Sequence, residues 1–121
     1  MGRYMKEGQG WRLGWDPDAA VFKGLIGGDH WAIELTAAEF QSFCRLVSQL
    51  ADTMASMTAE LMETERLTCE AESETLWLEV EGYPHDFSLR VLILSGRQAE
   101  GGWPATVVPE LLQAIPSLML F

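Results

Sequence analysis

The chain has 121 residues and a mass of 13.5 kDa, the size of a single domain over residues 1–121, and a hydrophobic content of 48% excludes intrinsic disorder. Eight Lys and Arg against 18 Asp and Glu leave a net charge of −10, which disfavours nucleic acid and anionic bilayers as partners. The longest apolar runs, such as residues 118–121, are far too short to span a membrane.

The first third reads as short strands joined by turns. Trp11, Leu13 and Trp15 alternate onto one strand face, Asp16-Pro17-Asp18 breaks the run, residues 21–26 form the next strand, and Gly27-Gly28-Asp29 turns the chain. Trp31, Ile33 and Leu35 share a face of a third run, and residues 4–7 add a fourth. Gly8, Gly10 and Gly14 have neither the spacing nor the following helix of a dinucleotide loop, so they mark a turn or a close approach. Thr36-Ala37-Ala38-Glu39 is a capping box and predicts a helix start. Phe40, Phe43, Leu46, Val47, Leu50, Met54, Met57 and Leu61 then recur at helical spacing, so the helix should run to about Met62, roughly 40 Å.

The period then returns to two. Leu67, Cys69 and Ala71 alternate with Glu70, Glu72 and Glu74, and Leu76, Leu78 and Val80 alternate with Trp77, Glu79 and Glu81. Residues 82–86 form a turn, Phe87, Leu89, Val91 and Ile93 point inward along another strand, and residues 95–102 read as a loop. Pro109 suits the first turn of a short helix, which Pro116 should kink or end, and the apolar residues 117–121 should dock. The order predicts an α+β fold: an antiparallel sheet of about six to seven strands in two repeated strand-helix units, with one long and one short helix on one face. Residues 31–35 and 87–91 echo each other at an offset of 56, a pattern suggestive of duplication.

Residues 60–86 carry nine acidic side chains and one basic, so nearly all the excess charge is local. Glu70, Glu72 and Glu74 on one strand and Glu79 and Glu81 on its neighbour should form an acidic sheet face, with Trp77 among them as a cation-π position for a partner's Lys or Arg. A face that merely solvates the protein explains the same residues and is the favoured alternative. Arg3, Lys6, Arg12 and Lys23 are the basic grouping available to a nucleic-acid reading. His30 and His85, each beside an aspartate, would make a metal site only if their turns met, and a hydrogen-bonded turn histidine is favoured over that. Cys44 and Cys69 lack a Cys-x-x-Cys spacing and read as buried free thiols in a reducing compartment; the start Met1-Gly2-Arg3 is followed by no hydrophobic leader. No catalytic or cofactor motif is recognisable, so no enzyme, cofactor or metal is expected.

The segments KEGQGWRLGWD at 6–16, WAIELT at 31–36, CEAESE at 69–74, LWLEVEGYPH at 76–85, EGGWP at 100–104 and VPELLQAI at 108–115 resemble the cyanobacterial domain-of-unknown-function family 1818. The resemblance spans nearly the whole chain. It implies the fold of the Whirly proteins, which are single-stranded-nucleic-acid-binding transcriptional regulators, and a cyanobacterial cytoplasm; the family brings no established activity or site residues. The leading expectation is a non-enzymatic protein-interaction or regulatory module whose partner is an unidentified, basic protein. The alternative is a single-stranded nucleic-acid-binding transcriptional regulator. Self-association as a homodimer is also expected, because the apolar arc of the long helix looks wider than one sheet contact requires.

Overall fold

Alternating strands joined by glycine-containing turns leave little choice but antiparallel pairing of neighbours, and that is what the chain does. The computed structural model describes residues 2–57 and 65–118. The elements are β1 (Tyr4–Gly8), β2 (Trp11–Trp15), β3 (Gly24–Gly27), β4 (Ala32–Leu35), α1 (Ala37–Met57), β5 (Leu67–Glu72), β6 (Leu76–Tyr83), β7 (Asp86–Ile93), β8 (Glu100–Trp103) and α2 (Val108–Leu118). The strands form two four-stranded antiparallel sheets, β1-β2-β3-β4 and β5-β6-β7-β8, each a simple meander followed by a helix.

The mixed α+β class and the pair of helices agree with the sequence reading; the single sheet of six to seven strands does not. Among the described residues eight strands divide between two sheets, and this arrangement is not specific to a Whirly fold. The extra strand is β8, which lies in the segment read as a loop: Gly101 and Gly102 have low strand propensity, but Arg90 and Val91 pair with them. The 56-residue echo also dissolves, since residues 31–35 cover the fourth strand of the first sheet and 87–91 the third strand of the second. What repeats is the order of elements.

Helix α1 begins where the capping box places it. The Thr36 backbone N–H donates to Glu39 Oε1 at 2.9 Å, and the Glu39 N–H donates to Thr36 Oγ1 at 3.2 Å. Its stripe of Phe40, Phe43, Leu46, Val47, Leu50 and Met54 is buried against strands of both sheets. As far as Met54, that stripe serves one shared core. The expected helix end near Met62 and the docked residues 119–121 lie outside the described residues. Pro109 sits in the first turn of α2, as expected, but Pro116 does not end the helix, which continues to Leu118.

Besides the packing of α1, contacts of Trp103 and Arg97 tie the sheets together. The buried Trp103 indole, from β8, donates to the Gly27 carbonyl of β3 at 2.9 Å and packs against Trp31 and Phe43, with ring centroids 5.0 and 5.8 Å away. Arg97, from the β7–β8 connection, donates to the Glu34 carbonyl and forms an ion pair with the buried Glu39, while its guanidinium lies 4.7 Å from the Phe22 ring centroid.

Candidate protein-interaction face

The pleat of β5 and β6 turns Ala71, Leu78 and Val80 into the core and the residues between them outward. Register then sets Glu70 opposite Glu79, Glu72 opposite Trp77, and Thr68 opposite Glu81. Glu70, Glu72 and Glu81 are exposed, whereas Glu79 and Trp77 are half-buried. Glu74 is exposed but lies beyond the end of β5. It lies in the turn between β5 and β6, which Ser73 closes by accepting from the Thr75 and Leu76 N–H groups at 3.3 and 3.2 Å. A two-residue alternation continues through Glu74 in sequence, but the Ser73 hydroxyl takes over the backbone bonding there.

Trp77 has a cation of the chain's own beside it: Arg90 of β7 lies 5.6 Å from the ring centroid. The same guanidinium reaches Glu79 and Glu100, each at 3.7 Å, so one cation from within the chain serves the tryptophan and two carboxylates. Arg66 pairs with Glu81 at 3.1 Å. Glu70, Glu72 and Glu74 are left, and among the described residues none of them forms a salt bridge. Arg90 is legible as an outward residue by its alternation with Leu89 and Val91; Glu100 is not, because the glycines that follow it do not favour a strand.

The basic grouping is dispersed. Arg12 donates to the Trp31 carbonyl at 3.0 Å, and Lys23 donates to the Pro17 and Ala19 carbonyls at 2.9 and 2.6 Å. Lys6 pairs with Leu13 and Glu7 with Arg12, so Lys6 and Arg12 leave opposite sides of the sheet. Of the four, Arg3 and Lys23 line one cavity, of about 200 Å³, walled by Tyr4, Met5 and Phe22 but also by Asp16 and Glu34.

His85 lines a different cavity, of about 250 Å³, with Phe87, Pro109 and Leu112 among its apolar walls, and His30 is exposed in the turn before β4. Among the described residues no group of three or more His, Cys, Asp or Glu side chains is arranged to hold a metal. Cys44 is buried, and burial pushes its thiol up to about 12, while Cys69 is only half-buried; both are free. Within the described residues no helix is long and apolar enough to cross a membrane.

Residues 6–118 match the family described as Domain of unknown function (DUF1818). Among solved structures, the chain is similar to a protein of unknown function from Prochlorococcus sp. NATL2A, described as a DUF155 family member: 33% identity, TM-score 0.90, covering 96% of this chain and 98% of that one. No curated protein matches.

Proposed function

This chain belongs to the family described as Domain of unknown function (DUF1818), and we propose that it is a non-enzymatic protein-interaction or regulatory module of the cyanobacterial cytoplasm, engaging a basic partner through β5 and β6. The observation that carries this reading is the row Glu70, Glu72 and Glu74: exposed carboxylates along an edge strand and its turn, with no salt bridge among the described residues. Glu79, Glu81 and the exposed part of Trp77 would extend the contact. Because Arg90 already lies beside the tryptophan, attraction is concentrated at the β5 edge, where a basic segment approaches carboxylates that form no salt bridge among the described residues.

The test combines two measurements. An oligo-arginine peptide titrated into isotopically labelled protein should shift amides of β5 and the following turn first. With a partner isolated by affinity purification, replacing Glu70, Glu72 and Glu74 by Gln should slow association several-fold, as raised salt should, and change dissociation little. Wild-type association in that variant would return these glutamates to a solvating role.

A second reading is supported by the cavity where Arg3 and Lys23 join Tyr4 and Phe22, since cations beside aromatic rings suit unpaired bases. That reading makes the chain a single-stranded nucleic-acid-binding regulator of Whirly type. The net charge and the prior engagement of Lys23 and Arg12 weigh against it. Submicromolar binding of an unpaired oligonucleotide near 150 mM salt, lost in Arg3→Ala, would promote it over the first.

A further inference from the structure

Two four-stranded meanders have four edge strands, and they are not equally protected. β4 and β8 lie against each other, bridged by Trp31 and Trp103. β5 carries Glu70 and Glu72, whose charges oppose pairing with a second copy. β1 is different: all five of its residues are exposed, and Tyr4 and Met5 remain 61% and 47% accessible.

The hydrogen-bonding phase of β1 follows from that of β2. The Asp16 N–H donates to the Lys23 carbonyl at 2.7 Å, in the same register that pairs Gly14 with Leu25 and Arg12 with Gly27. Even-numbered residues of β2 thus bond toward β3, and odd-numbered ones toward β1. Trp11, Leu13 and Trp15 face Gly8, Lys6 and Tyr4. The backbone groups of Met5 and Glu7, and of Arg3 just before the strand, consequently point away from the sheet.

A second copy related by a twofold axis perpendicular to the sheet can meet that edge in few ways, because the pleat requires each residue to oppose one of the same parity. Centring the axis on Lys6 opposes two lysines, and centring it on Glu7 opposes two glutamates. Centring it on Met5 sets Arg3 against the second copy's Glu7, Tyr4 against its Lys6, and Met5 against its Met5. In this register Arg3, Met5 and Glu7, the residues with outward backbone groups, form the hydrogen-bonded pairs. Tyr4 and Lys6 form the closer non-bonded pair, in which an ammonium can lie on the phenol ring. The methionines meet where Met5 Sδ already comes within 3.0 Å of the position a Cβ on Gly14 would take.

We propose that β1 is a self-complementary interaction surface whose partner is a second copy of this chain, paired antiparallel about Met5 so that the two β1–β4 sheets become one. This surface is separate from the β5 edge and does not depend on the function proposed for it. Each copy offers one β1, so the twofold contact closes at a dimer. A single strand pair buries little area, so association should be weak and concentration-dependent, in the micromolar range.

The test is sedimentation velocity from roughly 1 to 200 μM at low salt. Wild type should pass from a 13.5 kDa species to twice that mass. Met5→Pro removes an outward N–H that β2 does not use, so its circular dichroism should stay native while the dimer is lost. Glu7→Arg, which opposes Arg3 with arginine, should weaken the dimer at least tenfold, and Arg3→Glu combined with Glu7→Arg should restore it. Any intrachain cost beside Arg12 is common to the last two variants. A monomer throughout, a dimer that survives both Met5→Pro and Glu7→Arg, or a double variant that fails to recover would overturn the proposal.

Discussion

Removing Arg97 should destabilise the fold out of proportion to its surface position. Glu39 is 5% exposed, and its carboxylate is held by the Thr36 N–H, by Arg97 and by the Ser95 hydroxyl at 3.4 Å. Losing one partner of a fully buried ion pair costs about 3–5 kcal/mol, because the remaining charge is left uncompensated. The Arg97 side chain is 33% exposed, so water can replace part of what it gives, and two other donors stay. We therefore expect about 2 kcal/mol for Arg97→Ala, which at an m-value of about 1.5 kcal/mol/M lowers the urea midpoint by more than 1 M. Glu39→Gln keeps an acceptor for the Thr36 N–H but removes the charge. In that background, Arg97→Ala should cost less than about 1 kcal/mol, a coupling that a double-mutant cycle reads directly. Additive costs, or a single-variant loss below about 0.5 kcal/mol, would show that the pair is solvated and adds little to the join between the sheets.

Three further outcomes follow from individual residues. Trp103→Phe keeps most of the ring but removes the indole donor from the buried Gly27 carbonyl, which keeps its strand partner Arg12; thermal or urea unfolding should register a loss of about 0.5–1.5 kcal/mol. Gly82 has φ +143°, and a Cβ there would come within 2.4 Å of the Asp86 carbonyl oxygen, so Gly82→Ala should unfold at markedly lower denaturant than an alanine change at the exposed Gln98. A thiol reagent at pH 8 should modify Cys69 readily and Cys44 only on unfolding. The unfolded Cys44 thiol ionises near 9.0 and the folded one near 12, so its contribution to stability is intact below about 9 and declines as pH rises through that window, a decline absent in Cys44→Ala.

Residues whose role is fixed by their nearest neighbours were legible in the sequence. The capping box at Thr36 and Glu39, the alternation of Trp11, Leu13 and Trp15, and the helical stripe from Phe40 to Met54 each satisfy a local rule, and each occupies the expected place. What escaped depends on partners distant in sequence. β8 is a strand because β7 pairs with it, not because Glu100-Gly101-Gly102-Trp103 favours extension. Trp77 has a cation beside it because Arg90, thirteen positions on, is brought near it by the β6–β7 register. Glu39 read as a cap alone; that it also anchors Arg97, 58 residues away, needed the packing of a loop against a helix start. The candidate face was thus recognisable by its glutamates, while its internal neutralisation was not.

The order of elements, four strands and a helix given twice, suggests two independent units, but the packing argues otherwise. α1 closes the first unit in sequence yet packs on β5 and β6 of the second sheet as well as on β3 and β4 of its own. α2 closes the second unit and reaches back to β2 and α1. Each helix therefore covers apolar surface belonging to the other half, and Trp103 and Arg97 carry polar bonds across the same boundary. A half-chain would expose the core face of its own sheet together with one side of its helix, so neither half has a complete core without the other. Unfolding should accordingly be a single cooperative transition, and the two edges left at the outside, β1 and β5, are the places where such a unit can acquire partners without reopening its core.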